Sequence, residues 1–217
     1  VAKQAQITLP EKASLTSFRI QSNQIPASVV NVPTPILDRT DRMPAVAGMF
    51  YPDDPEQLRQ TVEDLTPTDP VERQHYRAAL IPHAGLIYSG RIAADVLRRI
   101  EFPETIIMIG PKHAPEGVDW AVSPHASWLL PGGKIPSDPE LVNELADKID
   151  GLELDAAAHQ QEHAIEVELP LIAKFAPNSK VVGIAIGPTN FERCQAFAAG
   201  LAEVLENRLS KTLLVIS

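Results

Sequence analysis

The sequence predicts an α/β fold in which a largely parallel sheet is covered by helices on both faces. Three observations lead there. Two short apolar runs, Arg77 to Pro82 and Thr105 to Gly110, are closed by Pro and Gly and read as buried strands. Between them Ser89 to Ile100 has the apolar spacing of an amphipathic helix, and such a crossover brings both strands into one parallel sheet as near neighbours. Downstream, strand-like and helix-like stretches keep alternating, the pattern of a sheet with helices packed on it.

The elements follow in order. Residues 1–43 hold Pro10, Pro26, Pro33 and Pro35 among polar residues with no sustained period, which reads as an extended or weakly ordered arm, leaving 44–217 as the folded domain. Pro44 to Pro52 is apolar, and Asp53-Asp54-Pro55 then starts a helix over about 55–65, its acidic residues at the positive end of the helix dipole. After the β-α-β unit, in which Ser89 is the expected helix cap, Trp120 to Leu130 reads as a pair of short strands. Pro131-Gly132-Gly133-Lys134 lacks the spacing of a phosphate loop and reads as a hairpin or cleft-edge loop. A helix begins near Ser137-Asp138-Pro139. Glu162 to Phe175 is partly helical, limited by Pro170. Lys180 to Ile186 is a strand, about 190–207 a long helix and Thr212 to Ile216 a last strand.

Composition excludes several functions. The 217 residues are 44% hydrophobic and 22% charged, a globular balance. A net charge of −9 with no Lys/Arg-rich block argues against nucleic acid as a partner, because phosphate binding needs clustered cations. No run approaches the ~18 apolar residues of a membrane span, and nothing near Val1 resembles a signal peptide. The single cysteine, Cys194, rules out an intrachain disulfide and fits a reducing compartment, so a cytoplasmic location is expected; in its helical context it reads as a small buried thiol.

The chemistry centres on histidines. His83 follows the first strand in Ile81-Pro82-His83-Ala84-Gly85 and His113 follows the second in Gly110-Pro111-Lys112-His113. Both should emerge at the carboxyl edge of the sheet, where open α/β folds bind ligands. Two neutral imidazoles there suit iron, copper or zinc and leave positions open for water or substrate; each could instead only cap a strand end. A second group is Asp155 to Glu166. If it is helical, His159 and His163 share one face, and so do Glu162 and Glu166, which allows a metal pair, an acid/base array or a merely acidic surface helix.

Four stretches in order resemble the signature of the Memo family, identified in bacteria as AmmeMemoRadiSam system protein B. They are Pro44 to Pro52, Pro82 to Gly90, Gly110 to His113, and His159-Gln160-Gln161-Glu162-His163-Ala164-Ile165-Glu166-Val167-Glu168-Leu169-Pro170. The resemblance implies the α/β sandwich of class III extradiol dioxygenases with a divalent transition metal, iron first. It places His83 and His113 as metal ligands and Glu162 and His163 in the motif that borders the cleft, as the candidate catalytic residues.

Family members continue past the strand matching Thr212 to Ser217 and supply a third ligand, often cysteine, much later. Cys194 stands in the wrong context for that role, so the third ligand and a base are expected beyond Ser217, and the chain is expected to be a truncated form. The implied function is a metal-binding protein with a dioxygenase-like site. The competing expectations are a non-enzymatic partner of an AMMECR-type protein and a radical SAM enzyme, and a metal-dependent hydrolase in which Glu162 would activate water.

Overall fold

The computed structural model describes residues 40–217. The arm expected over 1–43 thus lies almost wholly outside the described residues. Of its last four positions, Arg42 is buried, with 2% of its surface exposed.

Among the described residues there are eight strands and six α-helices. They are α1 (Pro55–Leu65), β1 (Ala78–Leu80), α2 (Leu86–Leu97), β2 (Thr105–Pro111), β3 (Trp120–Val122), β4 (Ser127–Leu130), β5 (Gly133–Pro136), α3 (Pro139–Lys148), β6 (Glu153–Leu154), α4 (Ala157–Gln160), α5 (Leu169–Phe175), β7 (Lys180–Ile186), α6 (Phe191–Leu205) and β8 (Thr212–Ile216). Six strands form one sheet in the order β1-β8-β2-β7-β3-β6, and β4 and β5 form a separate hairpin. Strands β1, β8, β2 and β7 are mutually parallel. Strand β3 runs against β7 and carries the short β6 alongside it, so the sheet is mostly rather than wholly parallel.

The sheet is a sandwich filling because its central strands alternate. On β2, Ile106 and Met108 point into a core with Val181, Leu213 and Val215 under α1, α2 and α5. Ile107 points to the other face, where Val182 and Ile184 meet Leu141 and Leu145 of α3 and Phe197 and Leu201 of α6. The helices begin where the caps sit. Asp54 accepts from Gln57 N at 2.8 Å, Asp138 from Leu141 N at 3.2 Å, and Asn190 from Arg193 N at 2.9 Å. No helix among the described residues is long and apolar enough to cross a membrane.

Four local expectations need correction. Helix α2 starts one turn earlier than read, with Gly85 as its cap position; Ser89 lies inside it and donates to Ala84 O at 2.8 Å. Pro170 does not limit a helix but sits in the first turn of α5, where its missing N–H costs nothing. Cys194 is exposed, because it lies on the outer side of α6. The stretch from Asp155 to Glu166 is no continuous helix: α4 ends at Gln160, and a single 3₁₀ turn spans Glu166–Glu168. Trp120 to Leu130 does hold two strands, but β3 belongs to the large sheet while β4 pairs with β5 across Pro131-Gly132, where Gly132 takes φ of 84°.

Candidate metal centre

Strands β1 and β2 are separated only by β8, so the loops after them leave the same edge of the sheet. His83 and His113 leave with them, and their ring centroids stand 5.3 Å apart. His163 comes to the same place on the loop after α4, stacked on His113 at 4.5 Å and 6.0 Å from His83. The loop can pack on the strand end because Gly110 has no side chain: a Cβ there would lie 3.0 Å from Ala164 Cβ. Beside the histidines opens a crevice of about 760 Å³, walled by Phe50, Ile81, Pro82 and Tyr88 with His83 and His163. Phe50 packs edge-on against the His163 ring at 4.9 Å.

Glu162 holds this group together from below. It is 2% exposed and accepts hydrogen bonds from the backbone N–H groups of His113, Ala114 (3.0 Å), His163 (2.8 Å) and Ala164 (2.9 Å) and from His113 Nδ1 (2.9 Å). Burial alone would raise its pKa, but the His113 imidazole and the backbone donors outweigh burial and hold the carboxyl at about 2. Glu162 is therefore ionised, and it orients the His113 ring by accepting from Nδ1, so that Nε2 is the ring nitrogen not engaged by Glu162. Burial lowers the pKa of both His83 and His163, each helped by the neighbouring imidazoles, so both rings favour the neutral, ligating form. His113, Glu162 and His163 each place one donor atom within 4.8 Å of the others, a group that could hold a metal ion. Because Glu162 already receives five donors, the imidazoles are the freer members.

Two of the residues singled out in the sequence lie elsewhere. His159 is fully buried, edge-on to Trp128 at 5.9 Å, and donates from Nε2 to Ala121 O at 3.2 Å. Burial pushes its pKa down to about 4, so it is a neutral core residue that turns away from His163 where α4 ends. Glu166 is buried too. It pairs with Arg42 and accepts from Tyr51 Oη at 2.6 Å and from the backbone of Ala45 and Val46.

Arg42 also donates to the carbonyls of His159 (2.9 Å) and Glu162 (2.7 Å), so it pins both ends of the loop that presents Glu162 and His163. Sequence reasoning missed Arg42, Glu168 and Ser217. A lone Arg beside a Pro-rich stretch and a Glu inside Glu-Val-Glu carry no signal of burial, since the partners that permit it are remote in sequence.

The chain can now be compared with known proteins. The family model described as Memo-like protein matches residues 42–217. A MEMO1 family protein of Aquifex aeolicus is 37% identical over 177 residues, covering 81% of this chain and 65% of the relative. Those of Methanobrevibacter smithii and Thermococcus onnurineus are 37% and 35% identical, each over 81% of this chain and over 67% and 63% of their own lengths. The chain thus spans about two thirds of the length of the curated relatives it matches. With a family model over most of its length and relatives this similar, the chain belongs to the Memo-like protein family.

Proposed function

We propose that the crevice is a metal centre of dioxygenase-like type, in which His83 and His113 supply imidazole donors to a divalent transition metal, iron first, with copper or zinc as alternatives. The observation that carries this reading is the convergence of three imidazoles at one sheet edge, one of them oriented by an ionised carboxylate that accepts from its Nδ1. The donor set fits such an ion, because burial favours the neutral form of His83 and His163, and Glu162 engages His113 through Nδ1 and leaves Nε2 unengaged. A bound ion of this kind supplies a Lewis acid and a meeting point for dioxygen and a chelating substrate.

The protein's own residues do the rest. Glu162 fixes the His113 ring and the turn before His163. His163, 22% exposed at its side chain and lodged against Phe50, is placed to take a proton from a substrate that enters between Phe50 and Tyr88. The apolar walls of Phe50, Ile81 and Pro82 would favour a flat, largely apolar substrate body and exclude water around it. A hydrolytic role is less well supported, since Glu162 has no lone pair left uncommitted for activating water.

Metal analysis of the protein, followed by oxygen-uptake assays with a panel of catechols, tests the reading. His83→Ala and His113→Ala should each abolish stoichiometric iron, while His163→Ala should retain metal and lose turnover. Metal content unchanged by His83→Ala and His113→Ala would overturn it.

A further inference from the structure

Ser217, at the end of β8, has more neighbours than one hydroxyl group ordinarily meets. Its Oγ lies 2.7 Å from His83 Nδ1, 2.8 Å from Ile81 O and 2.5 Å from Glu168 Oε1. A hydroxyl has one hydrogen to give and two lone pairs to accept with. Ile81 O can only accept. If Glu168 were a carboxylate, two acceptors would compete for one hydrogen, and one of the two oxygen–oxygen contacts would have no hydrogen in it. If Glu168 is a neutral acid, every contact is filled: Glu168 donates to Ser217, Ser217 donates to Ile81 O, and His83 Nδ1–H donates to the remaining lone pair of Ser217.

A second observation agrees with the neutral acid. Glu168 is 2% exposed, and its Oε2 is buried with no hydrogen-bond partner. Its two neighbours in the same stretch show what a buried carboxylate needs here: Glu162 takes five donors and Glu166 is paired with Arg42 and three further donor groups. Glu168 has Ser217 alone, and no ion pair to it is formed among the described residues. Half of a negative charge facing no donor is a heavy penalty in a dry site, whereas an unbonded carbonyl oxygen is a mild one.

We propose that Glu168 is a buried neutral acid which, acting through Ser217, fixes His83 in the form with its hydrogen on Nδ1 and its lone pair on Nε2. Burial, opposed only by the Ser217 contact, drives the Glu168 carboxyl well above the usual range, in the same direction. Glu168 and Ser217 are then positioning residues. They do for His83 what Glu162 does for His113, with an uncharged relay in place of a carboxylate, so that each ring is oriented through its Nδ1. The value of this arrangement for a metal rests on the reading of the crevice as a metal centre; the proton arrangement itself does not.

The test is nitrogen-15 NMR of the imidazoles in the metal-free protein at neutral pH, with infrared difference spectra of wild type against Glu168→Gln. The expected result is a single His83 form protonated on Nδ1, and a neutral-acid carbonyl band that disappears in Glu168→Gln. Glu168→Gln should keep the single His83 form, since its amide can donate to Ser217, whereas Glu168→Leu and Ser217→Ala should mix the two forms. In zinc titrations, Ser217→Ala and Glu168→Leu should bind about 10- to 100-fold more weakly, with Glu168→Gln close to wild type. His83 protonated on Nε2 in the wild type, or no neutral-acid band lost in Glu168→Gln, would overturn the proposal. A wild-type protein that binds no zinc but shows the expected His83 form and acid band would uphold the proton arrangement and overturn the metal reading.

Discussion

Replacing Glu162 with Gln is the most exacting perturbation of the site, because it preserves shape and removes only charge and acceptor capacity. One carboxylate oxygen takes the N–H groups of His113 and Ala114; the other takes His113 Nδ1 and the N–H groups of His163 and Ala164. An amide has one acceptor oxygen, so in either orientation its NH₂ faces at least two donors. Leaving two buried N–H groups without acceptors costs about 1–3 kcal/mol each, roughly 2–6 kcal/mol together.

The depressed ionisation of Glu162 leads to a similar figure. A carboxyl held at about 2 when folded against the ordinary 4.5 is worth about 3 kcal/mol at neutral pH by linkage. The sign is that of a depressed acid: the stabilisation is full above 4.5 and fades as pH falls toward 2. Urea denaturation at pH 7 should therefore show Glu162→Gln less stable than wild type by about 3 kcal/mol, with the difference shrinking as pH drops through that window. A loss under about 0.5 kcal/mol at pH 7, the size of an ordinary surface substitution, or a difference that does not vary with pH, would refute the account of Glu162 as the anchor.

Three further outcomes follow from the same packing. Arg42→Met should destabilise the domain by about 3–5 kcal/mol in chemical denaturation, because Glu166 would be left buried and unpaired, and adding Glu166→Gln should recover part of the loss. Gly183→Ala on β7 should cost about 1–3 kcal/mol or more by the same measurement, since a Cβ there would stand 2.5 Å from the Trp128 ring. His159, depressed by burial from 6.5 to about 4, binds its proton more readily when unfolded, so stability should fall as pH drops from 6.5 toward 4; thermal melts across that range should show the slope flattened in His159→Gln.

The course of the sheet was readable because it is written locally. Asp54-Pro55 and Asp138-Pro139 announce helix starts, and runs such as Thr105 to Gly110 can only be strands once their length and Pro/Gly boundaries are noticed. The same locality brought His83 and His113 to one edge, since each follows its strand directly. What was not readable depends on remote partners. Trp120-Ala121-Val122 has the same apolar look whether it runs with β7 or against it. His159 and His163 seem equivalent at four-residue spacing, and only the end of α4 at Gln160 sends one into the core and the other to the crevice. The charges of Arg42, Glu166 and Glu168 look solvated in sequence, because nothing beside them reveals the partners that make burial tolerable.

The separations in those contacts have a consequence for when the crevice can exist. Arg42 grips carbonyls 117 and 120 positions further on, and the ring of His83 leans on a side chain 134 positions away. A chain emerging from the ribosome therefore carries His83 through the next 134 positions without the side chain that orients it. No early fragment has a rehearsed version of the pocket, and the closure of such distant contacts comes late and slowly compared with the helices beside them. An occupant that needs His83 held in this orientation therefore has its place only once β8 has closed onto the sheet.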